Sequence, residues 1–129
     1  FISIQTYRLI GIVFFVLLAQ NRLPALFAIP SGFGDIIVGI SAPIVAFFYA
    51  KKSWSRSLAK LWNYVGIVDL LVAVGIGILL ALPEPFSIIS TSPTTEIMTQ
   101  YPMALIPVFA VPLGMLFHLA SLRKLAKEK

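Results

Sequence analysis

Residues 65–82 read VGIVDLLVAVGIGILLAL, eighteen positions with a single charge, Asp69. A run this long and this apolar is read as a membrane span. Inside a bilayer every backbone N–H and C=O must find its partner within the protein, which leaves a helix as the form for an isolated segment. That helix constrains the rest of the chain, because its neighbours must cover the aspartate. Composition points the same way: 59% of the residues are hydrophobic, 12% are charged and the mean hydropathy is +0.96, where a soluble domain carries roughly a quarter charged residues.

With 129 residues the chain forms one domain of about four crossings, each needing about 20 residues. The spans fall at 2–20, 31–50, 58–82 and 102–122. The reading is therefore all-α: a polytopic bundle of four transmembrane helices with an interfacial segment at 23–34, where Pro24 and Pro30 are expected to interrupt any helix. Pro43, Pro107 and Pro112 predict kinks. The chain opens on Phe1, already inside an apolar segment, so further residues upstream are expected. Arg8 followed by apolar residues mimics a signal peptide, but Leu17 and Ala19 make a poor cleavage site, and a span is preferred.

Orientation follows from ten Lys and Arg residues. Lys51, Lys52, Arg56 and Lys60 lie between spans two and three, and Arg123, Lys124, Lys127 and Lys129 follow span four, which makes eight on one side. Arg22 alone lies on the other, where residues 83–101 carry only Glu84 and Glu96. Positive residues favour the cytoplasm, so both ends of the chain are expected there. Tyr49, Trp54, Trp62 and Tyr64 mark the inner edge, and Phe86 and Tyr101 the outer one. A charge of +5 divided in this way marks topology and not a nucleic-acid groove.

Helical spacing gathers small residues on one face of each span, with a polar residue among them. Span one aligns Arg8, Gly11, Phe15 and Ala19, and span two aligns Asp35, Gly39, Ala42 and Ala46. Span three aligns Asn63, Gly66, Asp69, Ala73, Gly77 and Ala81, and span four Pro107, Ala110, Gly114, His118 and Ser121. Small residues let helices approach closely in lipid, so these faces are expected to pack. A charge facing lipid costs at least about 2.5–3.5 kcal/mol, so the polar groups should turn inward. The spacing predicts an Arg8–Asp69 pair with Asn63 and His118 as neighbours. Asp35 is expected in the first turn of span two, capped by Ser31, where with Arg22 it would form an outer entrance.

Other chemistry is poorly supplied. One histidine and no cysteine give neither a hydrolytic triad nor a metal-ligand set, and no catalytic residue is assigned. Gly32-x-Gly34 is too short for a phosphate loop. Haem on two axial histidines would need His118 from each of two copies, and a quinone between helices stays open. Ser92-Pro93 signals a short interfacial helix in the outer connection.

The segments QTYRLIG, LPALFAIPSGFGD, LWNYVGIVDL and HLASL together resemble a family of uncharacterised bacterial integral membrane proteins, and the resemblance spans nearly the whole chain. It implies a bacterial cytoplasmic membrane and further helices upstream, and it implies no activity. For function the residues favour a non-enzymatic subunit that packs against itself or a larger membrane complex; the alternatives are a small solute or proton-coupled transporter centred on Arg8, Asp69 and His118, and a quinone- or haem-binding bundle.

Overall fold

The computed structural model describes residues 1–52 and 55–128, all helical or irregular, with no strand among them. A 3₁₀ stretch, Ser3–Gly11, runs directly into α1, Ile12–Ala19. Helices α2 (Ala25–Ala50) and α3 (Arg56–Ala81) follow, then a 3₁₀ turn at Glu96–Thr99, a π turn at Ile106–Ala110 and α4 (Val111–Lys127). Three of these helical segments, Ala25–Ala50, Arg56–Ala81 and Ile106–Lys127, are long and apolar enough to cross a membrane. At most 22% of each apolar window is buried by the rest of the chain, and Ile37, Val68, Leu71 and Leu116 point outward. Apolar surface on that scale calls for a partner phase, and the helices fit a membrane protein.

The first segment has only 17 residues, Ser3–Ala19, yet its winding makes it long. Nine residues at about 2.0 Å and eight at about 1.5 Å give a rod of about 30 Å. The winding also sets which side is buried. Ile2, Gln5, Arg8, Gly11, Phe14 and Leu17, every third residue, form the buried row. Residues three apart eclipse at three per turn, so the α-type face expected from Arg8, Gly11, Phe15 and Ala19 is displaced: Phe15 is half-buried and Ala19 exposed.

Span two begins earlier than expected. Pro24 takes the N-cap position, its carbonyl accepts from the N–H groups of Phe27 and Ala28, and α2 continues through Pro30 without interruption. The supposed interfacial segment is thus the last turn of a loop and the first turns of a helix. A proline removes one backbone donor, and in a packed bundle that single loss does not end the helix. Ser31 is buried inside α2 with no partner for its hydroxyl, so it caps nothing. Asp35 lies ten residues into the helix, not in its first turn.

Span four differs as well. Pro107 and Pro112 are accommodated by the π turn, and the helix then continues to Lys127, so Arg123, Lys124 and Lys127 belong to α4 and not to a tail. Ser55 caps α3, accepting from the Leu58 N–H at 3.2 Å. Trp54 and Lys129, assigned to the inner edge and its basic cluster, lie outside the described residues. In the 83–105 connection the helical turn falls at Glu96–Thr99 and not at Ser92-Pro93.

Two apolar clusters make the core. One gathers Ile2, Val45, Ala59 and Leu125, and the other Phe14, Leu17, Phe27, Leu80, Met98 and Ile106 among its members. The first segment with Ile2, α2, α3 and α4 each contribute to both, with their polar residues between the two contributions. The segments therefore alternate up and down, and a polar layer lies across the middle of the bundle.

Candidate functional site

Arg8 stands at the centre of that layer, 2% exposed. Its Nε donates to Asp35 Oδ1 at 2.8 Å, and Nη2 approaches the same oxygen at 2.6 Å. Nη2 also donates to Asp69 Oδ2. One guanidinium thus serves two carboxylates from different helices, and Nη1 is left buried with no partner. Asp69 lies thirteen residues after Arg56 and twelve before Ala81, at the midpoint of α3. Asp35 shares this depth through its bond to Arg8, which corrects its placement at the outer end. Arg22 is exposed in the turn after α1, and no ion pair joins it to Asp35 among the described residues.

Glycines provide the space for these side chains. A Cβ on Gly11 would come within 2.5 Å of the Asp35 Cβ, and one on Gly34 would overlap the Asp69 carboxylate. A Cβ on Gly66 would overlap the His118 ring, and one on Gly114 would reach the Tyr7 hydroxyl at 2.6 Å. Gly39 is packed against the Leu9 backbone and Gly77 lies against Phe27. The small residues of each helix are therefore seats for the neighbour's polar or aromatic group, all within one chain. Ala42 is fully buried, Ala73 and Ala110 half-buried.

A second polar group adjoins the first. Asn63 Nδ2 donates to the Ala59 carbonyl at 2.8 Å and to Ser121 Oγ at 3.1 Å. A carbonyl can only accept, so the amide orientation is fixed and its oxygen must accept from His118 Nδ1, 3.0 Å away. Neutral His118 then carries its proton on Nδ1. Its Nε2 is buried, faces Gly66 and has no partner. Gly66 is one turn from Asp69 on the same face of α3, but no hydrogen bond connects the two polar groups. His118 is fully buried and packs against Trp62 at 5.4 Å between ring centroids. A ring enclosed in this way cannot meet that of a second copy, which removes the route to a bis-histidine haem.

Two anchors were missed by the sequence reading. Gln5 Nε2 donates to the Gly114 carbonyl at 3.0 Å, and the Tyr7 hydroxyl donates to the Ala110 carbonyl at 2.6 Å, beside the π turn. The signal for Gln5 was its spacing of three from Arg8, visible only if the helix is wound at three residues per turn.

Between the polar layer and the 95–99 segment lies a cavity of about 170 Å³. Phe14, Phe27, Leu70, Val74 and Ile106 are among its walls, and Asp35 is the one charged residue lining it. Thr95 Oγ1 donates to the Gly77 carbonyl at 2.5 Å, which pins Thr95, Met98 and Thr99 against the cavity. Among the described residues no three metal-ligating side chains gather.

Fold and site together define an all-helical, membrane-type bundle with an arginine shared by two carboxylates at its centre. The chain matches the domain of unknown function DUF8737 over residues 1–126 and belongs to that family. The resemblance noted above, to a family without established activity, agrees with it. No curated protein and no solved structure matches the chain.

Proposed function

We propose that this is a small carrier, integral to the bacterial cytoplasmic membrane, that exchanges a proton or another cation at Arg8, Asp35 and Asp69. In this reading the 30 Å rod of residues 3–19 serves as a fourth span, and the distribution of basic residues favours cytoplasmic chain ends. One observation carries the functional reading: a single guanidinium between two carboxylates. With all three groups ionised the cluster has one excess negative charge, and a bilayer interior penalises an uncompensated charge heavily. A proton or a cation bound there removes the excess, and its release restores it.

The assembly reading rested on the small-residue faces. Seven of the eight glycines have their facing space taken by side chains or backbone of this same chain, and Gly75 is the exception. The stripes are thus filled within one bundle, and the charge cluster is the stronger ground. The test is proton flux into liposomes carrying the purified protein, followed with an entrapped pH dye. Wild type should dissipate an imposed pH gradient, and Asp69→Asn should reduce the flux to that of empty vesicles. Equal flux from a folded Asp69→Asn protein would end this reading.

A further inference from the structure

The cavity and the charge beside it specify a ligand more narrowly than a bare cation. An apolar cavity of roughly 150 Å³ is enough to hold benzene, and this one measures about 170 Å³. Its walls are aliphatic and aromatic, which favours a hydrocarbon body over a hydrated ion. Its one charged lining residue is Asp35. Asp35 Oδ1 accepts from Arg8 Nε and is the oxygen that Nη2 approaches, while Oδ2 takes no hydrogen bond among the described residues. Asp35 thus gives an otherwise apolar chamber a carboxylate with one oxygen unpaired.

We infer that the chamber binds a small primary monoamine, protonated, whose hydrocarbon part is about one aromatic ring in size. The ammonium group reaches Asp35 Oδ2 and the ring fills the space between Phe14, Phe27 and Val74. Asp69 keeps its bond to Arg8, so the bound cluster carries two positive and two negative charges. A neutral ring of equal size would fill the cavity and leave the excess negative charge in place. A quaternary cation has no N–H to donate to the carboxylate, and a much bulkier cation would exceed the volume. This inference rests on the carrier reading for its biological sense, since amine and proton would compete for the same carboxylate.

Benzylamine is the probe, with benzyl alcohol and toluene as neutral counterparts of similar shape, titrated calorimetrically into the purified full chain in detergent. The expected result is amine binding at least tenfold tighter than alcohol binding. Asp35→Asn should abolish that preference, since the neutral amide removes the charge while Arg8 retains Asp69. Ala73→Phe, which fills the cavity from α3 and leaves Arg8, Asp35 and Asp69 unsubstituted, should block amine and alcohol alike. Benzylamine binding that Ala73→Phe leaves unchanged overturns the proposal, as does equal affinity for amine and alcohol. Native mass spectrometry showing a detergent or lipid chain retained in the wild type and lost in Ala73→Phe, with no amine bound, also overturns it, in favour of an acyl-chain site. The two readings fail separately. Amine binding without proton flux removes the carrier, and proton flux without amine binding removes the ligand.

Discussion

At the scale of single residues the bundle works by seating atoms of a neighbouring segment against all but one of its glycines. Gly34 receives the Asp69 carboxylate and Gly66 the His118 ring, while Gly75 has nothing within 4 Å. Three substitutions separate packing from propensity. Gly75→Ala should stabilise by roughly 0.5–1 kcal/mol, the cost of glycine within a helix. Gly34→Ala and Gly66→Ala should destabilise by roughly 1–3 kcal/mol through overpacking, because neither the ion-paired carboxylate nor a ring held by Asn63 and Trp62 can retreat. Thermal unfolding in detergent would measure all three, and a neutral Gly34→Ala would show that Asp69 does not sit against α2. Much of this was legible in the sequence. Polar groups among small residues are expected to turn inward, and that placed Asn63 and His118, both now fully buried. Gln5 and Tyr7 escaped because they were judged against α spacing.

The sequence misled most at the level of whole elements, and prolines were the reason. Pro30 was read as a break, which moved the start of α2 to Ser31 and carried Asp35 toward the outer edge. In the folded chain α2 covers 26 residues and encloses Pro30, because packing against the first rod and α3 holds the helix together across one missing bond. Pro30→Ala restores a donor for the Leu26 carbonyl and should raise the unfolding temperature, with ion cluster and cavity unchanged. A lower unfolding temperature would mean that the ring itself is needed where it stands. Pro107 and Pro112 act differently. Pro107 lies within a π turn and Pro112 in the first turn of the helix after it; such a local widening is often found at functional sites, and the Ala110 carbonyl at its end bonds to Tyr7. A period of 3.6 residues cannot reveal such a turn in advance.

For the molecule as a whole, the alternation of helices puts Lys51, Lys52, Ser55, Phe1 and Glu128 at one pole, and the 20–24 and 82–105 connections at the other. On the proposed reading of four crossings, the distribution of basic residues predicts sidedness. The chain has no cysteine, so single cysteines report cleanly. In sealed cells a membrane-impermeant maleimide should label Ser90→Cys and spare Lys51→Cys and Lys127→Cys, with the reverse in inverted vesicles. Labelling of Ser90→Cys and Lys127→Cys from the same side would reduce the crossings to an odd number. The alternating architecture was visible from hydropathy alone. The chamber beneath residues 95–99 was not, because it is formed by side chains brought together from every helix.

The 3₁₀ winding of Ser3–Gly11 makes this bundle resemble a screw whose thread sets both its length and the alignment of its teeth. Rewound as an α-helix, those nine residues would shorten by about 4–5 Å, and each third residue would swing about 60° from the last. Gln5, Arg8 and Gly11 would no longer stand in file, so the guanidinium could not face α2 and α3 while Gln5 still reached α4. The pitch that lets a short segment match the thickness of a bilayer is the same pitch that brings Arg8 to its two acids.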